Sequence, residues 1–215
     1  FAGYYGIVAA INSRFEAAAI AVFVAMILDG IDGRIARLTN TQSDFGAQYD
    51  SLSDVVSFGL APSIIVYEWA LFDLGKLGWL AAFMYTAGAA LRLARFNSQS
   101  ENSDSRFFQG LPSPAAAAVI GATVWLSQSF IAPKMTGVAL GTMLVTILMA
   151  LLMVSNLPYY SFKDLDLRNK VPFVSILAIV MAFVLVSIEP ATVLFCIFSL
   201  KSPLDKQFQF QWTCY

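Results

Sequence analysis

The 215 residues are 58% apolar and 13% charged, with a mean hydropathy of +0.69, values that suit an integral membrane protein rather than a water-soluble domain. A net charge of −1 without a long basic run excludes nucleic acid as a partner, because a phosphate backbone needs a concentrated positive face. The chain has no histidine, and Cys196 and Cys214 form no CxxC, which excludes zinc-finger, His-ligated and Ser-His-Asp chemistry and leaves oxygen ligands.

In chain order, apolar runs alternate with short polar breaks, and a helix needs about 20 residues to cross a bilayer. Seven or eight spans are predicted: 1–11, 16–37, 46–71, 77–96, 113–132, 136–157, 173–188 and a short one at 190–200. The first reads as the remnant of a longer helix, since the chain opens at Phe1 without an initiator Met or a basic leader. Pro112 and Pro114 suit a helix start, because proline fits a first turn and the residue before it resists helical geometry. Pro190 marks a tight reversal between two short helices or a kink in one long one. Trp69, Trp79, Tyr159 and Tyr160 fall near span ends as an aromatic belt, and Gly137 and Gly141 form a GxxxG that permits close helix packing. The expected fold is all-α, a polytopic membrane helix bundle, with residues 1–200 as one membrane domain and 201–215 as a tail.

Basic residues orient the bundle, because Lys and Arg are retained in cytoplasmic loops. Alternating the spans puts ten of the 13 on one side: Arg34, Arg37, Arg92, Arg95, Arg106, Lys163, Arg168, Lys170, Lys201 and Lys206. Arg14, Lys76 and Lys134 fall on the other. The first side is therefore expected in the cytoplasm, for a multi-pass membrane protein.

Two aspartate pairs, Asp29/Asp32 and Asp50/Asp54, interrupt the second and third spans. An ionised Asp at mid-bilayer costs about 2.5 to 3.5 kcal/mol even on a lenient scale, so this many need compensation. Asp29 lies eight residues before Arg37 and Asp54 eight after Gly46, about 12 Å along each helix at ~1.5 Å per residue. The helices run antiparallel, so Asp29 is expected to face Asp54, with Asp32 and Asp50 forming a second level closer to water. Steps of three and four residues keep each pair on one face. Without cations such a cluster would repel itself and take up protons, whereas divalent ions among hard oxygen ligands would hold it ionised. Gly33, Ala36 and Gly46 would let a nucleotide or the facing helix approach the backbone, and Arg37 can pair with a phosphate at the membrane surface.

The run Asp29-Gly30-Ile31-Asp32-Gly33-Arg34-Ile35-Ala36-Arg37, followed after eight residues by Gly46 and then by Asp50 and Asp54, is similar to the signature of the CDP-alcohol phosphotransferases. That resemblance implies a six-helix core with one or two further C-terminal helices, and a reaction in which an acceptor hydroxyl attacks the β-phosphate of a CDP-linked donor and releases CMP. It implies that Asp29, Asp32 and Asp50 hold one or two divalent ions, Mg²⁺ or Mn²⁺, on the pyrophosphate. It makes Asp54 the general base or a further metal ligand. With no histidine in the chain, a carboxylate beside the metals is the remaining proton acceptor. Gly33, Ala36, Arg37 and Gly46 are the implied donor-binding positions.

Three further segments, Arg92-Leu93-Ala94-Arg95-Phe96-Asn97, Phe108-Gln109-Gly110-Leu111-Pro112-Ser113-Pro114 and Phe162-Lys163-Asp164-Leu165-Asp166-Leu167, resemble the bacterial integral-membrane phosphatidylserine synthases. The implied donor is CDP-diacylglycerol, the acceptor L-serine and the assembly a homodimer. Arg92 and Arg95 could clamp the serine carboxylate bidentately, but a glycerol 3-phosphate would suit them equally, and an inositol-type alcohol is a further alternative acceptor. Both arginines, with Arg106, also serve as positive-inside anchors, and Lys163, Arg168 and Lys170 read as interfacial charges. A carboxylate-lined ion transporter is the competing class, yet it would need acids near the midplane of several spans. Here they occupy one helix pair toward one leaflet.

Overall fold

The computed structural model describes residues 1–39, 43–99, 107–130, 136–155 and 158–160. Among these, six helices carry the chain: α1 (Ala2–Ile11), α2 (Phe15–Leu38), α3 (Asp44–Leu74), α4 (Lys76–Gln99), α5 (Ser113–Phe130) and α6 (Thr136–Val154). Asp44–Leu74, Lys76–Ser98 and Gly137–Val154 are long and apolar enough to cross a membrane, whereas Ala2–Ile11 and Ser113–Ser127 are shorter apolar helices. α2 has the length, but Glu16, Asp29, Asp32, Arg34 and Arg37 interrupt its apolar face. The molecule is a membrane helix bundle, as its hydropathy led one to expect. The spans expected at 173–188 and 190–200, the tail from 201, Arg106, Lys163, Arg168 and Lys170 lie outside the described residues.

The helix ends follow local chemistry. α1 closes on Asn12, and the chain reverses through Ser13 at φ 58°, with the Ser13 amide donating to the Ala10 carbonyl at 2.8 Å. Ser43 caps α3 by accepting from the Gly46 amide at 3.1 Å, so the helix begins two residues before the apolar run that predicted it. α5 starts at Ser113 between the two prolines, and the Ala116 amide reaches back to the Pro112 carbonyl at 3.1 Å.

Packing relies on small side chains, since in lipid close contact replaces the hydrophobic driving force. α1 lies along α2, α2 along α5 and α4 along α6. Ala18, Ala19, Ala61, Ala89, Ala116, Ala117, Ala118 and Ala122 are fully buried between them. Gly3 lets α1 cross α3, because a Cβ there would stand 2.6 Å from Ser57 Cα. Gly137 and Gly141 face no described neighbour within 4 Å, so their GxxxG is not a seam within the described bundle.

Two features have no counterpart in the predicted spans. α3 is not uniformly wound: α-helix at Asp44–Asp54 and Ala61–Val66 alternates with π-helix at Val55–Leu60 and Tyr67–Leu71, and a 3-10 turn ends it at Phe72–Leu74. Pro62 brings no amide to the ladder where the first π turn gives way to α-helix. Strands β1 (Phe107–Gln109) and β2 (Pro158–Tyr160) pair antiparallel, with Phe108 opposite Tyr159. Tyr159 and Tyr160 thus belong to a strand that ties the segment after α6 to the loop before α5.

Candidate active site

Asp29 comes from α2, and Asp50 and Asp54 from the first stretch of α3. One carboxylate oxygen from each lies within 4.8 Å of the other two. The depth matching expected from the two helix ends is what the structure has. Asp29 and Asp54 are partly buried and Asp50 is exposed, so the cluster opens to solvent on the Asp50 side. Carboxylates so close together favour a proton or a cation between them. The donor set is oxygen only, close together and open on one face, which suits a hard divalent cation.

Asp32 stands apart. It is exposed on α2 and lies outside the group of three, whereas Asp50, expected on a second level with Asp32, joins Asp29 and Asp54.

The small residues divide similarly. A Cβ on Gly30 or Gly33 would meet nothing within 4 Å among the described residues. Gly46 is occupied by the helix cap, with Ser43 Oγ 3.1 Å from where its Cβ would be. Ala36 is half-buried, and Arg37 occupies the last turn of α2.

The arginines part company. Arg92 Nη1 donates to Ser113 Oγ at 2.9 Å, its Nε is buried without a hydrogen-bond partner among the described residues, and its charge acts on Asp54. Arg95 Nη1 instead donates to the Val154 carbonyl at 3.1 Å, where a cation complements the carboxyl end of α6. Each therefore anchors α4 to a neighbouring helix, and it is Arg92 that adjoins the carboxylates.

Sequence reasoning passed over Ser51, Tyr85, Thr86 and Asn97, which join α4 to α3 around the aspartates. Asn97 Nδ2 donates to Ser51 Oγ at 3.0 Å, and Tyr85 Oη donates to the Phe58 carbonyl at 3.1 Å. The available signal was polarity at inward positions of apolar helices, where every buried polar group needs a partner.

Comparison with known proteins agrees with this arrangement. Helicobacter pylori strain J99 has a CDP-diacylglycerol--serine O-phosphatidyltransferase 38% identical over 186 residues, covering 86% of this chain and 77% of the relative. The protein of the same name from Methanocaldococcus jannaschii is 34% identical over 176 residues, covering 82% and 77%, and that from Mycobacterium leprae is 32% identical over 203, covering 86% and 64%. The family model for CDP-alcohol phosphatidyltransferase matches residues 1–162, a stretch that holds all six helices and the carboxylate cluster. With this match added to the oxygen-only cluster between its second and third helices, the chain belongs to the CDP-alcohol phosphatidyltransferase family.

Proposed function

We propose that this protein transfers the phosphatidyl group of CDP-diacylglycerol to the hydroxyl of L-serine, giving phosphatidylserine and CMP. The observation that carries the chemistry is the convergence of Asp29, Asp50 and Asp54 within 4.8 Å. The acceptor follows the name shared by the relatives from Helicobacter, Methanocaldococcus and Mycobacterium.

Asp29, Asp32, Asp50 and Asp54 are the residues that would hold divalent cations, Mg²⁺ or Mn²⁺ and two per site. Such ions, when bound, neutralise a pyrophosphate and stabilise attacking and leaving oxygens. Asp54 acts as general base. Partly buried between Asp29 and Arg92, it takes the serine hydroxyl proton as the serine oxygen bonds to the β-phosphorus and the bond to the CMP oxygen breaks. Gly33 and Ala36 leave the donor's nucleotide close access to α2, with Arg37 in the last turn of α2 and Gly46 in the first turn of α3 as the other donor-binding positions. Arg92, with its buried Nε, is the acceptor-side cation, and Arg95 supports it from the next turn of α4.

Ten of 13 basic residues assigned to one side support an inner-membrane protein whose site faces the cytoplasm. The homodimer follows from the family resemblance, and the single catalytic domain over residues 1–200 from the unbroken run of apolar spans. Purified protein in mixed micelles should release CMP from CDP-diacylglycerol with serine, and reversibly stop doing so in excess EDTA. CMP release that follows glycerol 3-phosphate or inositol instead would reassign the acceptor, and activity undiminished by chelation would remove the metal.

A further inference from the structure

α4 grips α3 on both sides of Asp54. On the solvent side, Ser51, adjacent to Asp50, accepts from Asn97 Nδ2 at 3.0 Å and donates its own proton to the Ala47 carbonyl at 3.0 Å. On the core side lies Phe58, one turn beyond Asp54 in the π-wound stretch Val55–Leu60. An α-helical donor to its carbonyl would be the amide that Pro62 lacks, and the Tyr85 hydroxyl donates there at 3.1 Å. Tyr85 and Phe58 are both 0% exposed, so no water can stand in for that hydroxyl. Beside them Thr86 Oγ1 donates to Ser63 Oγ at 2.8 Å, and Ser63 Oγ donates to the Leu60 carbonyl at 2.8 Å.

The winding matters to the carboxylates because one residue of helical register is about 100° of rotation. If the π turn rewound as α-helix, the stretch carrying Asp50 and Asp54 would swing relative to the buried stretch Ala61–Val66, and Asp54 would turn away from Asp29. Gly59 lets α4 come this close to the π turn, since a Cβ there would lie 3.1 Å from Ala89 Cβ of α4.

We propose that Tyr85 and Asn97 are positioning residues of the carboxylate site, holding the turns before and after Asp54 so that its carboxyl stays against Asp29. This rests on the metal-binding reading of the cluster, and the test separates the two. Mn²⁺ binding to purified protein without lipid donor is followed by electron paramagnetic resonance for wild type, Tyr85→Phe, Asn97→Ala and Thr146→Val, alongside thermal unfolding in the same detergent. Thr146 is the control, a fully buried hydroxyl donating to the Thr142 carbonyl at 2.8 Å on α6. Tyr85→Phe and Asn97→Ala should each bind Mn²⁺ about tenfold more weakly, the loss typical of residues that orient metal ligands. CMP release should show a reduced kcat with little change in the KM for CDP-diacylglycerol, and Thr146→Val should match wild type in both. Unaltered Mn²⁺ affinity in both α4 variants, or an equal loss in Thr146→Val, overturns the proposal. Wild type that binds no Mn²⁺ overturns the metal reading itself. Should one α4 variant fail to fold, the other decides.

Discussion

Asp29 and Asp54 reach across the contact between α2 and α3 to bring carboxyl oxygens within 4.8 Å of each other, with Asp50 close enough to join them. Like charges gathered this way at the edge of an apolar bundle are unfavourable by themselves. Their arrangement is understood as a site for something positive.

Substitution should split the roles within the cluster. Asp54→Asn keeps the shape and removes the proton acceptor, so CMP release should fall about 10³-fold while donor lipid still binds. Asp29→Asn should instead raise the divalent concentration needed for half-maximal activity about tenfold or more. Asp54→Asn activity recovered at saturating divalent ion would rule out this division.

Asp32 differs because it stands outside the group of three. Asp32→Asn should leave Mn²⁺ binding to the donor-free protein near wild type and weaken it once CDP-diacylglycerol is present. Metal titrations with and without donor make the comparison, and an equal effect in both would place Asp32 with the other three.

Gly33 gives a prediction in which stability and activity move apart. No described atom would touch a Cβ there, and alanine is the better helix former by about 1 kcal/mol, so Gly33→Ala should not lower the unfolding temperature. If the nucleotide approaches that backbone, the KM for CDP-diacylglycerol should rise several-fold. An unchanged KM would make Gly33 a bystander.

The arginines can be separated by conservative replacement. Arg92→Lys loses the planar fork beside Asp54 and should raise the serine concentration for half-maximal rate about tenfold. Arg95→Lys should act mainly on stability, costing about 1 kcal/mol through the contact with the Val154 carbonyl. Serine titration and thermal unfolding of both variants check this; a serine response shifted only by Arg95→Lys would reverse the assignment.

Much of this was legible in local pattern. Hydropathy marks a span because the bilayer has a fixed thickness, so each described helix lies within a few residues of its predicted run. The aspartate pairs were visible because steps of three and four residues share a helix face, and the matching depths of Asp29 and Asp54 needed only a rise per residue. The first π turn was less visible, because its Phe58 carbonyl is met by Tyr85, a hydrogen-bond donor more than 20 residues further along the chain. The pairing of Phe108 with Tyr159 likewise joins segments that no short window contains.

The amino-acid sequence alone determined a membrane bundle, its family and four candidate carboxylates, since composition and spacing are properties of the chain taken one stretch at a time. Only the tertiary structure decided that Asp50 rather than Asp32 completes the cluster, that Arg92 adjoins it while Arg95 holds α6, and that α4 braces the turn beyond Asp54. Those outcomes depend on how helices rotate and cross. Side-chain contacts between separate segments set that rotation, and a one-dimensional reading holds no distance between them.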